Sequence, residues 1–487
     1  MTAKVVPMEK IDQWIAGIPQ ASSDAAVLSV FNPVTGLAYA ECPRGSAADI
    51  AAAVTAAQSA FPVWSALKAS ERAQWLNLLA DAIEARVEVF SQCESRDTGK
   101  PLGLVRDIEI PRAIANFRFF AAACTQSLDQ AFHQEAGLNY TLHQPLGVVG
   151  VISPWNLPLY LLSWKLAPAL AAGNCVIAKP SEITPMSADL LARTAQEIGF
   201  PAGVLNIVQG AGETVGAALV AHPEVKAISF TGSTAVGHRI AAVCADQFKK
   251  VTLEMGGKNP ALVFADAPAH TLKSLVRAAF QNSGQICLCG SRILIHREIY
   301  DDFKKTFVAE SSALKIGAPS NPATQLGPVM SEAHFRKVLA YIALAKDEGG
   351  SVLCGGEAVK PEGCDGWFIA PTVVEGLPMD SGFCQDEIFG PVVSLHAFDN
   401  DDHALALANA SRYGLAASVW TGDLMRAHRM ANELECGIVW INTWMQRDLR
   451  TPFGGMKQSG FGREGGVEAM KFFTEPKTVC IGALPNG

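Results

Sequence analysis

The sequence lacks a long hydrophobic run, which weighs against a membrane protein. Its most apolar stretch, from Leu166 to Ala178, is short and interrupted by Pro168, Gly173 and Asn174, whereas a membrane-spanning helix needs about 20 apolar residues in a row. The first ten residues contain no apolar segment of the kind that a secretion signal needs. We therefore expect no membrane partner, and we expect a cytoplasmic location.

An excess of basic residues is also absent. The chain has 39 Lys and Arg against 47 Asp and Glu, for a formal net charge of −8. A nucleic-acid-binding surface usually requires clustered positive charge. The balance of charges therefore predicts no nucleic-acid partner.

Closely spaced cysteines are equally scarce. Of the 12 cysteines, only Cys287 and Cys289 lie near each other, and this spacing without a second pair or a nearby histidine is a poor zinc signature. A chain of 487 residues with 49% hydrophobic content can bury large cores without disulfide bonds. We expect reduced thiols, no metal, and a packing role for most of these cysteines.

Two series of alternating strand and helix patterns run through the middle of the chain. The first predicts strands over 174–179, 204–208 and 226–230, with helices over 187–198 and 234–245. The second predicts strands over 261–264 and 292–296, with helices over 268–281 and 297–315. This βαβ rhythm indicates an α/β fold with two lobes and a cleft between them. Further strands at 139–143 and 477–481 belong to neither series.

A thiol and a carboxyl group lie on two glycine-containing segments. Cys287 belongs to Gly-Gln-Ile-Cys-Leu-Cys at 284–289, and Glu254 to Leu-Glu-Met-Gly-Gly-Lys at 253–258. A cysteine is more often a small core residue than a nucleophile, but this pairing favours catalysis. Together the two segments resemble the active site of the aldehyde dehydrogenase superfamily. The resemblance extends from about residue 25 to the C-terminus.

The resemblance implies the domain organisation. A Rossmann-type NAD-binding domain is expected over 1–123 and 144–254, and a second α/β catalytic domain over 255–455. A small β element for oligomerisation is expected over 124–143 and 470–487. Members of this family pair subunits through such an element, so we expect a homodimer or a homotetramer.

The predicted cofactor is NAD. Lys179 ends a predicted strand and Glu182 comes shortly after it, at the end of the sheet where open α/β sheets bind ligands. The Glu182 carboxylate can accept hydrogen bonds from ribose hydroxyls, and its charge would repel the 2′-phosphate of NADP. The segment 230–237 opens a helix with small residues that suit a pyrophosphate, and it lacks the Lys-Ser/Thr ending of a P-loop. With the resemblance, the cofactor-binding residues are predicted to be Ile152, Pro154, Trp155, Lys179, Ser181, Glu182, Gly212, Phe230, Gly232, Ser233, Gly237, Glu387 and Phe389.

The resemblance also assigns the catalytic roles. Cys287 is the nucleophile, and Asn156 with the backbone N–H of Cys287 forms the oxyanion hole. Glu254 is the general base that activates water to release a thioester. Lys165 resembles a lysine that tunes the site electrostatically. Cys289 is open to three interpretations: a backup thiol, a redox partner or a packed residue.

The segment 439–455, in its Arg-Asp-Leu-Arg form, resembles the branch of the family that oxidises 2-aminomuconate and 2-hydroxymuconate semialdehydes. It departs from that branch at Met445 and Gln446. Such substrates carry a carboxylate, for which arginine is the best-shaped counter-charge. Arg112 and Arg447 are the candidates, with Arg106 and Arg450 as competitors. Tyr160, Trp164 and Phe453 are expected to line the substrate tunnel.

Several alternatives stay open. A broad-specificity or betaine-type aldehyde dehydrogenase would share the fold, although a cationic substrate would favour acids or an aromatic cage over arginines. A CoA-acylating enzyme generally lacks the base seen as Glu254. A non-catalytic binding protein would be marked by loss of Cys287, Glu254 or Asn156. A cofactor-free cysteine hydrolase would need a histidine for which the sequence has no local signal.

Overall fold

A computed structural model describes residues 8–126 and 129–482. The chain folds into two α/β lobes, each built on its own sheet. Of the predicted domains, residues 1–7, 127–128 and 483–487 lie outside the described part. The predicted strands and helices of both α/β series are confirmed, with ends shifted by a few residues. The largest shift is at 297–315, where a 3₁₀ turn at Arg297–Ile299 precedes a helix at Tyr300–Ser312.

The first sheet has eight strands, of which the central five are parallel. In spatial order they are Gly460–Phe461, Lys250–Glu254, Val225–Thr231, Val148–Ile152, Cys175–Lys179, Leu205–Ile207, Gln13–Ile15 and Ile18–Gln20. The strands at 148–152, 175–179 and 205–207 are buried at every residue, as expected for parallel strands that helices cover on both faces. The helices of this half are Ala47–Ala66, Ala69–Glu84, Val87–Thr98, Leu102–Leu104, Ile110–Ala123, Pro158–Ala171, Met186–Glu197, Ala217–Ala221 and Thr234–Asp246, with π-helical turns at Val105–Glu109 and Gly212–Gly216.

The edge strand of the first sheet comes from the far end of the chain. Gly460–Phe461 pairs antiparallel with Lys250–Glu254, and the Met255 N–H donates to the Ser459 carbonyl at 2.9 Å. The sequence patterns did not indicate this crossing. It brings the segment that follows Pro452 against the strand that ends at Glu254.

The second sheet has seven strands, parallel except at one edge. In spatial order they are Ser351–Cys354, Thr372–Glu375, Val392–Phe398, Gly290–His296, Asn259–Val263, Ala416–Trp420 and Ile438–Ile441. The helices of this half are Thr271–Phe280, Tyr300–Ser312, Glu332–Asp347, Gly382–Gln385, Asp401–Asn409 and Leu424–Glu433. The helix Gly466–Phe472 follows the last crossing. One hydrophobic core contains residues of both sheets, so the lobes are packed against each other.

Smaller sheets complete the fold. The predicted strands at 139–143 and 477–481 are confirmed as Gly137–Pro145 and Thr474–Gly482, which pair antiparallel over nine positions, with Ala131–Gln134 at the edge. Other short pairings join Glu9–Lys10, Leu37–Pro43 and Val27–Asn32; Ala358–Val359 and Phe368–Ile369; and Tyr413–Gly414 and Met456–Lys457.

Across residues 8–126 and 129–482, no single helix has both the length and the apolar character to cross a membrane. The helices Ala47–Ala66 and Ala69–Glu84 meet that test only when they are taken together across a bend of 120°.

Candidate active site

Cys287 lies on a strained turn between a helix and a strand of the second sheet. The turn begins where the helix Thr271–Phe280 ends, and Asn282, Ser283 and Gly284 have φ angles of 54°, 52° and 72°. The left-handed conformation is costly for Asn282 and Ser283, which are not glycine, and it persists only where the surroundings hold it. A Cβ on Gly284 would lie 1.9 Å from the Gly390 carbonyl oxygen, so only glycine fits there.

Two asparagine side chains hold the turn in place. Asn259 Nδ2 donates to the carbonyls of Cys287 at 2.7 Å and Cys289 at 2.9 Å. Asn156 Nδ2 donates to the Gln285 carbonyl at 2.9 Å, which leaves its second hydrogen for another acceptor. The predicted catalytic Asn156 and Cys287 are therefore joined through the backbone of one turn. Asn259 was missed, although it follows the Gly-Gly-Lys that flagged Glu254.

The Cys287 thiol is half-buried and electrostatically unfavourable for a thiolate. Burial raises its pKa well above the usual range, and the charges of Glu387 and Glu254 raise it further. The charge of Arg447 acts in the opposite direction. The resting thiol is therefore protonated near neutral pH, and nucleophilic attack needs a base to take its proton.

Glu254 is a buried carboxyl group at the end of its strand. It is 2% exposed, and neither of its oxygens has a hydrogen-bond partner within the described residues. Burial raises its pKa well above the usual range, as does the nearby Glu464, while Lys165, Arg463 and Arg447 lower it. A carboxyl group without partners and with a raised pKa is suited to proton transfer.

The predicted electrostatic lysine belongs to a buried network beside Glu254. Lys165 Nζ donates to Glu464 Oε1 and, at 3.0 Å, to Ser229 Oγ. Ser229 in turn donates to the same Glu464 oxygen at 2.9 Å. Glu464 was missed because it lies 299 residues from Lys165 along the chain. Gly454 also approaches Glu254 closely, since a Cβ on Gly454 would lie 2.8 Å from Glu254 Oε1.

A cavity of about 1470 Å³ opens at the carboxyl ends of the first sheet's strands. The predicted cofactor residues that line it are Ile152, Pro154, Trp155, Lys179, Ser181, Glu182, Gly212, Phe230, Gly232 and Ser233. The other three, Gly237, Glu387 and Phe389, lie outside this lining. Residues that the sequence did not flag also line it, chiefly the run Met330, Ser331, Glu332 and Ala333.

Lys179 and Glu182 form an ion pair at one side of the cavity. Lys179 Nζ lies 2.6 Å from Glu182 Oε2, and the Gly212 N–H donates to Glu182 Oε1 at 3.3 Å. Burial raises the pKa of Glu182, but the Lys179 charge and these hydrogen bonds outweigh it, and the net pKa is below the usual range. The cavity therefore presents a fixed negative charge beside a lysine.

The helix Thr234–Asp246 begins at the cavity wall. Ser233 caps it by accepting from the Val236 N–H, and its first turn leaves backbone N–H groups for an anion. A Cβ on Gly232 would lie 2.4 Å from the Phe230 ring. Gly237 has a different place: a Cβ there would lie 2.2 Å from Met255 Sδ, so this glycine permits close packing of the helix on the chain after Glu254.

The segment that carries Glu387 and Phe389 is fixed against the Gly256–Gly257 loop. The Gly257 N–H donates to Glu387 Oε1 at 3.1 Å, and a Cβ on Gly256 would lie 1.9 Å from Glu387 Oε2. Phe389 has a φ of 63°, and its ring lies 5.3 Å from that of Trp155 on the cavity wall.

The helix Glu332–Asp347 fixes the segment of Glu387 and Phe389 through two hydrogen bonds to its backbone carbonyls. Burial lowers the pKa of His334 to about 4, so its neutral ring donates Nε2–H to the Phe389 carbonyl at 2.6 Å. Lys337 Nζ donates to the Glu387 carbonyl at 3.0 Å. His334 and Lys337 carried no sequence signal, because their partners are carbonyl groups of a distant segment.

All five predicted substrate residues come together in one cluster, and one of them, Arg447, lies close enough to Cys287 for its charge to act on the thiol. The Arg112 guanidinium lies 5.4 Å from the ring centres of both Tyr160 and Trp164. The Arg447 guanidinium lies 5.4 Å from the Trp164 ring and 4.0 Å from the Phe453 ring, and its Nη1 is 3.4 Å from Tyr160 Oη. Two cations on one aromatic surface form a positively charged wall.

Neither Arg112 nor Arg447 makes an ion pair with any residue in 8–126 or 129–482. Arg112 Nη2 is buried and has no hydrogen-bond partner among those residues. Burial lowers the pKa of Arg112, and the neighbouring charge of Arg447 lowers it as well. Asp448 is bonded instead to Arg450, at 2.5 Å.

The competing residues lie elsewhere. Arg106 is exposed and pairs with Asp107, and Arg450 is exposed and pairs with Asp448. Cys289 is buried behind the turn, where its N–H donates to the Ile286 carbonyl at 2.9 Å. It lines a small pocket together with Gly284 and Glu387.

Comparison with known proteins identifies the family. The family model described as aldehyde dehydrogenase matches residues 20–479. The chain is 48% identical over 463 residues to a 2-aminomuconic semialdehyde dehydrogenase of Danio rerio, covering 93% of this chain and 95% of that protein. It is 43% identical over 484 residues to a 2-hydroxymuconic semialdehyde dehydrogenase of Pseudomonas sp. (strain CF600), covering 97% and 100%. An NAD⁺ complex of aldehyde dehydrogenase from Bacillus cereus is 39% identical with a TM-score of 0.95, covering 97% of each chain. The chain belongs to the aldehyde dehydrogenase family.

Proposed function

We propose that this chain oxidises an aldehyde to a carboxylic acid with NAD, through a cysteine thiohemiacetal and a thioester. The proposed substrate is a muconate-type semialdehyde, 2-aminomuconate or 2-hydroxymuconate 6-semialdehyde, from the catabolism of aromatic rings. The family, and relatives at 43–48% identity that carry these substrates in their names, support both parts. The observation that carries the substrate class is the positively charged wall of Arg112 and Arg447, which has no carboxylate partner of its own.

The residues around the large cavity fit NAD. The ion pair of Lys179 and Glu182 suits ribose hydroxyls, and the helix start at Ser233 suits a pyrophosphate. Glu387 and Phe389 would hold the nicotinamide end, beside Trp155. When bound there, NAD supplies the acceptor for the hydride that leaves the substrate carbon.

The chain's own groups account for the remaining chemistry. Cys287 Sγ gives up its proton to solvent water and adds to the aldehyde carbonyl. The free N–H of the Asn156 amide and the Cys287 backbone N–H stabilise the resulting oxyanion, each worth about 10²–10³ in rate. Glu254 takes the proton of the water that hydrolyses the thioester. Burial and the nearby Glu464 raise the pKa of Glu254, so its carboxylate is a stronger base than an exposed one.

We also propose the domain division and assembly given by the family resemblance. The NAD-binding domain comprises 1–123 and 144–254, the catalytic domain 255–455, and the oligomerisation element 124–143 and 470–487. The exposed apolar side chains of Phe132, Leu138, Leu142 and Ile481 on the small sheet support a homodimer or a homotetramer. A cytoplasmic location is consistent with a catalytic Cys287 that must stay reduced.

The proposal is tested by comparing aldehydes. NADH formation is followed with 2-hydroxymuconate semialdehyde, benzaldehyde and hexanal, in the wild type and in Arg447→Ala. We expect kcat/KM to favour the semialdehyde, and Arg447→Ala to lose about 2–3 kcal/mol of that preference, because it removes one of two charges that face the carboxylate.

Arg450→Ala is the matched control. Arg450 lies three positions along the same loop but is exposed and paired with Asp448. It should leave the preference within about twofold, as expected for an exposed ion pair. Equal rates with all three aldehydes in the wild type would contradict the substrate class. Absence of NADH formation with every aldehyde would contradict the reaction.

A further inference from the structure

A buried amide links the two helices that carry the substrate residues. Asn116 is fully buried on the helix Ile110–Ala123, one turn after Arg112. Its Nδ2 donates to the Tyr160 carbonyl at 3.2 Å and to Ser163 Oγ at 3.0 Å. Both amide hydrogens are therefore bound to the neighbouring helix, and the side chain has a single orientation.

That orientation determines where the amide oxygen points. Asn116 Oδ1 accepts from Arg112 Nε at 3.0 Å. Because Nε is bound, the plane of the guanidinium is fixed, and its Nη edge is left for a ligand. Arg112 Nη2 is the buried nitrogen that has no hydrogen-bond partner in the described chain.

We propose that Asn116 is a positioning and specificity-determining residue, which orients Arg112 for the substrate carboxylate while leaving the charge of Arg112 uncompensated. This inference rests on the proposed function. An aspartate at position 116 would have nearly the same shape and would also accept from Nε. Its negative charge, however, would occupy Arg112 and compete with an anionic substrate.

The neutral amide is informative because an acid at position 116 would compensate the arginine charge directly, although it would lose the hydrogen bonds that Asn116 donates to Tyr160 and Ser163. Burial disfavours the charge of Arg112, and the nearby charge of Arg447 disfavours it further. A carboxylate at position 116 would relieve both effects. With a neutral amide at position 116, the positive charges of Arg112 and Arg447 are compensated only when an anion binds. This strengthens the binding of a substrate that carries a carboxylate.

The test measures selectivity rather than activity. The ratio of kcat/KM for 2-hydroxymuconate semialdehyde to that for benzaldehyde is determined in the wild type, Asn116→Asp and Asn116→Leu. We expect Asn116→Asp to lower this ratio by roughly tenfold or more, mainly through KM for the semialdehyde. Asn116→Leu removes the acceptor but adds no charge, so the ratio should fall by less.

Asn206→Asp is the matched control for burying an acid. Asn206 is also fully buried, and its Nδ2 donates to the carbonyls of Val176 and Gly203, while its Oδ1 accepts from the Ala16 N–H. It has the same pattern as Asn116, far from the arginines. It should leave the selectivity ratio unchanged, whatever it does to thermal stability.

Two outcomes would overturn the inference. One is an equal fall of kcat/KM for both aldehydes in Asn116→Asp, which would indicate a purely structural residue. The other is a larger fall of the ratio in Asn116→Leu than in Asn116→Asp, which would remove the role of charge. If Asn116→Asp does not fold, an unchanged ratio in Asn116→Leu overturns the inference. Failure of the proposed function is distinct, because the wild type would then show no preference for the semialdehyde.

Discussion

We predict that the preference for NAD over NADP depends on one carboxylate, that of Glu182. Glu182 pairs with Lys179 at 2.6 Å on the wall of the large cavity, and its side chain is 31% exposed. Its pKa is below the usual range, so it is ionised at neutral pH. Glu182→Gln removes the charge, keeps the size, and releases the Lys179 ammonium from its partner.

The expected magnitude follows from the position of the charge. Two unit charges about 4 Å apart interact by about 1 kcal/mol in water and about 4 kcal/mol at an effective dielectric constant of 20. A half-exposed carboxylate lies between these limits, so removing it should improve kcat/KM for NADP by about tenfold or more. NAD loses a charge-assisted hydrogen bond of about 1.5–3 kcal/mol to a ribose hydroxyl. The two effects combined should lower the ratio of kcat/KM for NAD to kcat/KM for NADP by at least about a hundredfold.

The assay is the initial rate of NADH or NADPH formation with one saturating aldehyde. Glu213→Gln is the matched control, because Glu213 lines the same cavity but makes no ion pair within the described residues. It should change the ratio by less than about threefold, as an unpaired surface charge does. A Glu182→Gln enzyme with the wild-type ratio, or an equal change in Glu213→Gln, would refute the assignment of Glu182 as the residue that excludes the 2′-phosphate.

Two further predictions concern buried charges. Glu254→Gln should give a burst of NADH and then a steady state slower by about 10²-fold or more, because the acyl-enzyme lacks its base; an unchanged steady-state rate in a stopped-flow experiment would count against this role. Lys100 is buried between Glu109, at 2.5 Å, and Glu94, at 4.0 Å, so Lys100→Met should cost about 3–5 kcal/mol of unfolding free energy in urea. Burial already raises the pKa of Glu109, and a raised folded-state pKa means that stability is lost as pH rises, so the variant should regain stability in acid. The exposed pair of Lys471 and Glu468 provides the control, since Lys471→Met should cost at most about 1 kcal/mol; equal losses would contradict the reasoning.

The parts of the site that the sequence identified share one property. Cys287, Glu254, Glu182 and Ser233 lie on short segments whose glycines, caps and strand ends constrain the backbone locally, so a few neighbouring residues are informative. The same locality explains why most strands and helices were predicted within a few residues. The Arg297 turn was not, because a 3₁₀ start and an α-helix share the same apolar pattern.

The residues that the sequence missed depend on distant partners. Glu464 accepts a hydrogen bond from Lys165, which is 299 residues away in the sequence, and His334 donates to the carbonyl of Phe389. Asn259 carried no signal of its own, since its amide recognises backbone carbonyl groups of the cysteine turn. Every residue has the same backbone carbonyl group, so no sequence pattern marks which carbonyl will accept a hydrogen bond from a distant side chain.

The proposed substrate arginines separate what the sequence predicts from what the tertiary structure decides. The sequence by itself predicted the α/β fold, which the structure confirms. Through the family resemblance it also predicted the nucleophile, the base and the cofactor loops, because short local motifs carry that resemblance. It also narrowed the carboxylate partners to four arginines. It preferred Arg112 and Arg447 to Arg106 and Arg450, but only the tertiary structure supplied the physical reason, because an arginine can bind a substrate only where no protein carboxylate already occupies it. That condition is set by the packing of helices and loops from opposite ends of the chain, which places one pair of guanidinium groups on buried aromatic rings and leaves the other pair in water.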